Sequence, residues 1–152
     1  MASKKTTKKS AASDDTATTF KVFDERPSNE AALLEVERFF DALAEGEVEA
    51  AGAAIAHQGK DFWPHQVRSL WQDLVVPVLE DEGEDVDIDD DKTWRKLAWL
   101  ESIGFEKEAH WDDDDFYVNV TYDGEVTDVS AEFSLAKRPE GWVVQRKIMH
   151  IA

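Results

Sequence analysis

Residues 105–151 read FEKEAHWDDDDFYVNVTYDGEVTDVSAEFSLAKRPEGWVVQRKIMHI, and this stretch decides the fold. It predicts four antiparallel strands joined by short turns. The clearest turn is Tyr122-Asp123-Gly124-Glu125, because a two-residue hairpin loop needs positive φ, which Gly adopts without strain and Asp tolerates. The residues before this stretch predict a tail followed by helices that cover one face of the sheet.

The Asp-Gly turn fixes the register of the two strands beside it and pairs Phe116 with Ala131. One face then collects the apolar side chains of both strands, namely Phe116, Val118, Val120, Tyr122, Val129, Ala131, Phe133 and Leu135. A four-residue loop at 112–115 extends this face to Trp111, opposite Phe116, and to Phe105, opposite Tyr122.

The register of the last strand depends on the length of the turn at residues 137–141. A five-residue loop produces three cross-strand pairs: Ala136–Trp142, Glu132–Arg146 and Asp128–His150. We prefer this register because opposite charges that face each other across strands stabilise a sheet. A loop one residue shorter would instead place Trp142, Val144, Arg146, Ile148 and His150 on the apolar face.

The second face of the predicted sheet carries a mixed set of side chains: Glu106, Glu108, His110, Tyr117, Asn119, Thr121, Asp128, Glu132, Arg146 and His150, with Trp142, Val144 and Ile148. The plain interpretation is a solvated face, which a one-sided antiparallel sheet normally has. Clustered exposed apolar groups indicate a pocket or an interface. The three large apolar residues keep that alternative open.

Composition excludes several classes of protein. The chain has 152 residues, of which 42% are hydrophobic, enough for the core of one domain. It has no cysteine, so we expect no disulfide framework and no thiolate metal site, and we expect a cytoplasmic location. No apolar run approaches the ~20 residues that span a bilayer, and no apolar segment follows the first lysines, so we expect neither a membrane span nor a secretory signal.

The charge of the chain is strongly acidic, with 17 basic and 34 acidic residues and a formal charge of −17. Four of the basic residues lie within residues 1–13, which contain no acid, so the other residues carry −21. Such a charge repels nucleic acid and anionic membranes, and we expect neither as a partner. It suits a basic protein partner.

The first part of the chain predicts a tail and two helices. Residues 1–19 are rich in Lys, Ser and Thr without apolar periodicity, so we expect disorder there and a single α+β domain at 20–152. Ser28 is the expected N-cap of a helix that Gly46 ends at its C′ position. A second helix runs from Glu47 to about His57.

The middle of the chain predicts two more helices around an acidic linker. One begins near Pro64 and has to kink or end at Pro77, and another spans Thr93 to Ile103, with Gly104 as its cap. The linker, residues 80–91, has 9 acids in 12 positions. Its Asp-x-Asp-x-Asp start lacks the glycine and the glutamate of a calcium loop, so we expect a solvated loop and no metal site.

The segment FFDALAEGEVEAA, residues 39–51, resembles the opening helix pair of the SnoaL-like, or nuclear-transport-factor-two-like, superfamily. Those domains end in a curved antiparallel sheet, often with a strand like GWVVQRKI at 141–148. The resemblance implies helices packed on a four-stranded antiparallel meander that forms a cone-like, cystatin-like sheet. The middle of the chain departs from the family, which usually places a strand soon after the second helix.

The resemblance also implies where chemistry would occur. Hydratases and isomerases of this superfamily use Asp, His or Tyr in the cone, and the candidates here are His110, Tyr117, Asp128 and His150. None lies in a motif that aligns with a known active site, so no residue is assigned a catalytic role. Four scattered histidines do not have the spacing of metal ligands. We expect no cofactor.

The function that these observations favour is non-catalytic binding of a protein or of a small apolar ligand. Family members often form dimers through the open sheet face, so we expect a homodimer. The expected interface residues are Trp142, Val144, Arg146, Ile148 and Glu132. Two alternatives stay open: a SnoaL-like hydratase or isomerase, and an acidic inhibitor or immunity-type protein that binds a basic partner.

Overall fold

The computed structural model describes residues 20–57, 65–89 and 91–151, without the side chains of Asp91, His150 and Ile151. Two expectations lie outside the described residues: the disordered tail at 1–19 and the helix start at Pro64. Both stay predictions.

The helical part of the described chain follows the order that the sequence predicts, with shorter elements. The helices are α1 (Asn29–Ala44), α2 (Val48–Ala53), α3 (His65–Leu74), α4 (Val76–Asp81), α5 (Asp91–Arg95) and a 3₁₀ helix (Leu97–Ser102).

Within the described residues, six strands form one mixed sheet: β1 (Ala56–His57), β2 (Ile103–Phe105), β3 (His110–Asp112), β4 (Asp115–Tyr122), β5 (Glu125–Arg138) and β6 (Gly141–Ile151). The order across the sheet is β1-β6-β5-β4-β2, and β3 also pairs with β4. Strand β1 is parallel to β6, and the other pairs are antiparallel. The predicted α+β class is confirmed, but the described sheet has six strands, one of them parallel, instead of an antiparallel meander of four.

Helix α1 begins and ends where the sequence predicts. The Ala31 N–H donates to the Ser28 hydroxyl at 3.1 Å, which satisfies one of the free amides of the first turn. At the other end Gly46 has a φ of 77°, and the Glu47 N–H donates to the Ala42 carbonyl at 3.0 Å. This Schellman turn redirects the chain into α2.

The second predicted helix is shorter than expected. Helix α2 ends at Ala53, and Ala56 and His57 pair with Gln145 and Arg146 on the outer edge of β6. Strand pairing on this edge satisfies backbone groups that a continued helix would leave unused on β6. The edge is therefore partly covered by a strand that helical periodicity did not indicate.

Helix α3 buries a stripe of Val67, Leu70, Trp71 and Leu74. The chain breaks after Leu74, and Pro77 lies in the first turn of α4, where its missing N–H costs nothing. The predicted helix from Thr93 to Ile103 is wrong, because Lys96, with a ψ of 57°, separates α5 from the 3₁₀ helix.

The β4–β5 hairpin turns at Asp123-Gly124, as predicted, with Tyr122 opposite Glu125. The predicted register fails beyond Thr121, because Phe116 faces Phe133 instead of Ala131. Strand β5 has two extra residues at 127–129, opposite a single residue of β4. A shift by two residues keeps every side chain on its predicted face.

Thr127 closes this irregularity with its side chain. Its hydroxyl donates to the Val120 carbonyl at 2.8 Å and accepts from the Val129 N–H at 3.1 Å. These two bonds replace the ladder bonds that the bulge removes.

The strand predicted from Phe105 onward is divided into β2 and β3. Trp111 faces Phe116, as predicted, but the loop after it has two residues instead of four, with Asp113 at a φ of 55°. Phe105 faces Val120 instead of Tyr122, since residues 106–109 interrupt the pairing.

Gly104 was predicted to cap a helix. It lies inside β2 instead. A Cβ at this position would lie 2.9 Å from the Thr121 Oγ1, so the close approach of two strands explains the glycine.

The preferred register of β6 is wrong. Trp142 faces Lys137, so the turn is one residue shorter, and the pairs Glu132–Arg146 and Asp128–His150 do not form. Lys147 is then an extra residue, because Arg146 faces Phe133 while Ile148 faces Glu132. The alternative register, with the shorter loop, therefore holds up to Arg146. Beyond the bulge, Met149 lies on the apolar face, as the preferred register predicted.

An aromatic chain joins α1 to the covered face of the sheet. Its ring pairs are Trp111–Phe116 at 4.1 Å, Phe116–Phe133 at 5.4 Å, Phe133–Phe39 at 6.4 Å, Phe39–Phe40 at 5.3 Å and Phe40–Phe105 at 4.8 Å. Stacked and edge-to-face pairs of this kind stabilise beyond the area they bury. They hold α1 against β5, β4 and the two short strands β2 and β3 that lie outside β4.

Replacing Thr127 by the isosteric valine tests the bulge. We expect the free energy of unfolding to fall by about 1–3 kcal/mol, because the Val120 carbonyl and the Val129 N–H each lose a partner. Urea unfolding measures this. The control is Val126→Ala at the neighbouring exposed position, which should change stability by under about 0.5 kcal/mol. Equal effects of the two substitutions would contradict the role of the hydroxyl.

A pH-dependent test comes from Asp73 in α3. Partial burial raises the pKa of the Asp73 carboxyl above its ordinary value, so the ionised form disfavours folding. Asp73→Asn should therefore raise the free energy of unfolding at about pH 7. The gain should disappear at about pH 3, where the carboxyl is protonated in both states. The control is Asp41→Asn on the exposed side of α1, which removes the same charge; an equal gain from it would contradict the role of burial.

Candidate binding face

The face of the sheet opposite the helices, here called the open face, carries a row of side chains across four strands. His110 of β3 faces Tyr117 of β4, Tyr117 faces Glu132 of β5, and Glu132 faces Ile148 of β6. Neighbouring strands lie about 4.8 Å apart, so these four residues form one line. We call them the central row.

The central row combines apolar surface with charge. Tyr117 is 39% exposed and Ile148 is 45% exposed, on either side of the half-buried Glu132. The His110 and Tyr117 rings stack at 4.7 Å with an interplanar angle of 17°. Two large exposed apolar groups around one carboxylate form an amphipathic surface patch.

Lys147, the bulge residue of β6, extends the patch toward the β3–β4 turn. Its Nζ lies 3.6 Å from the Asp115 Oδ1, so the side chain crosses β5. A shallow depression of about 340 Å³ lies here and is lined by His110, Trp111, Asp112, Asp115, Phe116, Tyr117, Glu132, Phe133 and Lys147. It is open to solvent along one side and exposes both donors and acceptors.

The other end of the open face is closed. Val143 and Gln145 are buried there, and the Arg138 guanidinium donates to the Gln145 Oε1 at 3.1 Å and to the His57 carbonyl at 3.4 Å. The Phe20 ring lies 5.8 Å from the same guanidinium. Exposed surface suitable for binding therefore begins at the central row.

The structure brings together two of the four catalytic candidates. His110 and Tyr117 stack, whereas Asp128 lies four residues along β5 from Glu132, about 13 Å at the rise of a strand. The side chain of His150 is outside the described residues. Within the part of the chain that the structure describes, no His–Asp pair forms in the central row.

The predicted interface residues divide between the two faces. Glu132 and Ile148 lie in the central row, as expected. Val144 and Arg146 were placed on the open face, and this placement is wrong: they are 2% and 3% exposed and lie on the helix-covered side. Trp142 shares that side and bridges to Phe23, with both backbone bonds at 2.8 Å. The cause is the shorter β5–β6 turn, which sets the faces of β6 up to Arg146; the bulge at Lys147 then returns Ile148 to the predicted face.

Sequence reasoning missed Lys147 and Asp115. The signal that could have found Lys147 is the change of phase in the apolar pattern of β6, where Val144 and Met149 differ by five positions. The positions of two residues on one face of an unbroken strand must differ by an even number.

A second concavity lies where α1 meets β2. It has a volume of about 300 Å³, and its walls are Glu30, Leu33, Leu34, Glu37, Phe105 and Lys107. Leu34 is 60% exposed here. Lys107 forms an ion pair with Glu37 at the rim. The volume is at the lower end of the range for small-molecule sites.

Two further expectations concern metals and membranes. Among the described residues, no group of three or more His, Asp or Glu side chains could hold a metal ion. None of the helices in the ranges described is long and apolar enough to cross a membrane.

Comparison with known proteins gives no identification. No family model, no curated protein and no solved structure matches this chain. The superfamily membership expected from residues 39–51 stays a prediction.

The His110–Tyr117 stack can be tested by NMR. We expect the His110 ring protons to resonate upfield, because they lie over the face of the Tyr117 ring. Tyr117→Leu should remove the upfield shift and Tyr117→Phe should keep it. His65, an exposed histidine at the start of α3, is the internal control and should not respond. Unchanged His110 resonances in the leucine variant would contradict the stack.

Proposed function

We propose that this chain is a non-catalytic protein-binding domain, and that its partner on the open face is a second copy of the chain. The proposal includes a cytoplasmic location, which the lack of cysteine favours. The observation that carries it is the central row. Tyr117 and Ile148 expose large apolar surface among charged groups, and Val126, opposite Thr121, adds a third exposed apolar side chain to the same face, as the core of an interface inside a polar rim does.

The accessible part of the open face has room for a small interface. The four strands β3 to β6 span about 19 Å, and the eight residues of β5 from Glu125 to Glu132 extend about 26 Å beyond the closed end. The face therefore offers about 500 Å² per partner, which is at the lower end of the size of specific interfaces. A two-fold axis near Glu132 would bring Tyr117 and Ile148 of one copy against those of the other, the self-complementary arrangement of a dimer.

We further propose that the domain is of the nuclear-transport-factor-two-like type. The helix pair α1–α2, joined by the Gly46 turn, supports this assignment. So does a sheet with two bulges, because bulges bend strands toward the cone-like curvature expected of that superfamily.

The second candidate partner is a basic protein. In that case the chain would be an acidic inhibitor or an immunity-type protein. The formal charge of −17 favours it, and so do the exposed acids Asp112, Asp113 and Asp115 beside the central row. Like charges oppose association of two copies and favour association with a cation-rich surface. Salt dependence separates the two: a homodimer should strengthen at high salt, and a complex with a basic protein should weaken.

The experiment is the molar mass in solution of wild type, Ile148→Glu and Val78→Glu, measured by sedimentation at low and high salt. We expect a wild-type dimer and a monomeric Ile148→Glu variant, because a carboxylate would be buried in the centre of the interface. Val78 is the matched control, since it is 44% exposed on α4 against 45% for Ile148. Val78→Glu should stay dimeric.

A monomer under all conditions would overturn the dimer. Dissociation by both substitutions would show that added charge, and not the open face, decides association. Thermal unfolding of each variant checks that the fold is intact, which is expected because both residues are exposed.

A further inference from the structure

The N-terminal segment, residues 1–13, is basic, whereas the rest of the chain is strongly acidic. Lys4, Lys5, Lys8 and Lys9 lie within residues 1–13, which contain no acid, while the other residues carry a formal charge of −21. The whole chain therefore holds an oppositely charged partner for its own surface.

The described chain begins beside the open face. Phe20 lies against Arg138 at 5.8 Å, at the closed end of that face. Phe23 is fixed by its bridge to Trp142. Phe20, the residue that follows this segment in the chain, therefore lies at a corner of the open face.

The lysines can reach the central row from this corner. Lys9 is 11 residues before Phe20, which allows up to about 37 Å of extended chain. Arg138 and Glu132 are six residues apart on β5, about 20 Å. No rearrangement of the sheet is needed.

The charge around the central row is complementary to the lysines. Asp112 and Asp113 are exposed at one end of it, Glu132 is half-buried within it, and Asp128 is exposed further along β5. Nearby cations are already paired: Lys147 lies beside Asp115, Arg26 pairs with Asp114, and Lys107 pairs with Glu37 on the helix side. Added lysines would meet more acidic than basic groups here.

We propose that the lysine-rich segment, residues 1–13, docks on the open face of its own chain and competes there with the second copy. The competition rests on the proposed function, in which the open face is the binding surface; the docking itself does not. Attachment to the same chain gives a short segment an effective concentration in the millimolar range, so weak contacts suffice. In the docked state the segment occupies the surface around Tyr117 and Ile148, and salt weakens this contact.

The main competing site is the acidic linker. Its described part lies on the helix side, where the Arg68 guanidinium donates to the Ile88 carbonyl at 3.1 Å and to Asp89 at 3.5 Å. It is rich in acid but lacks the exposed aromatic and aliphatic pair of the central row. The two sites are on different sides of the sheet, so a position-specific probe separates them.

The experiment uses a nitroxide label on Ser3→Cys of the full chain, which is a unique site because the chain has no cysteine. We expect the amide signals of Tyr117, Glu132 and Ile148 to lose at least half their intensity at about 0.05 M salt. They should recover at about 1 M, where the Debye length is near 3 Å. Replacing Lys4, Lys5, Lys8 and Lys9 by Gln should abolish the effect at low salt.

A mixture separates contact within one chain from contact between chains. It contains chains that carry the nitroxide but no ¹⁵N, and chains that carry ¹⁵N but no nitroxide. The mixture is measured at a protein concentration at which the chain is monomeric. No loss there supports docking on the same chain, and loss there overturns it. Losses confined to residues 82–89, or no losses at all, also overturn it.

The competition has its own readout in the same spectra. As protein concentration rises and dimer forms, the loss at Tyr117 and Ile148 within the labelled chain should diminish. An undiminished loss alongside a growing dimer fraction would overturn the competition and leave the proposed dimer standing. A wild-type monomer that still shows the loss would refute the dimer and leave the docking standing.

Discussion

The structure depends on one constraint: a sheet that helices cover on one face cannot exchange its faces without unfolding its core. Phe116 and Phe133 stack on the covered face, and Phe133 packs against Phe39 of α1. Each of the two strands must therefore keep the same alternate residues on the covered face along its whole length. The irregularity between β4 and β5 obeys this because it adds two residues. The bulge at Lys147 adds one and reverses β6, so that Val144 and Met149 both reach the core.

Local signals in the sequence predicted local structure well. The Asp-Gly turn, the Ser28 cap and the Gly46 turn each depend on a few neighbouring residues, and all three are confirmed. The register beyond the turns could not be predicted in the same way, because a bulge is decided by packing between distant strands. The strand at Ala56–His57 depends likewise on the free edge of β6 and not on its own two residues.

The residues of the candidate site could be predicted only where each side chain could be assigned to the correct face of the sheet. His110 and Tyr117 lie on β3 and β4, which the bulge at Lys147 of β6 does not affect, and their shared face was predicted correctly. Glu132 and Ile148 were placed on the correct face, but with the wrong partners. Val144 and Arg146 were assigned to the open face because one register was applied to the whole of β6, whereas the apolar pattern changes phase within that strand.

The bridge between Phe23 and Trp142 has a consequence for the hairpin beside it. Gly141 has a φ of 140°, and a Cβ there would lie 2.5 Å from the Phe23 carbonyl oxygen. Any other residue at this position would push the backbone of Phe23 away from β6. The absence of a side chain in the β5–β6 turn therefore lets the backbone at Phe23 lie against the edge of β6, and the anchoring of the first described residues depends on a glycine more than 100 positions further along the chain.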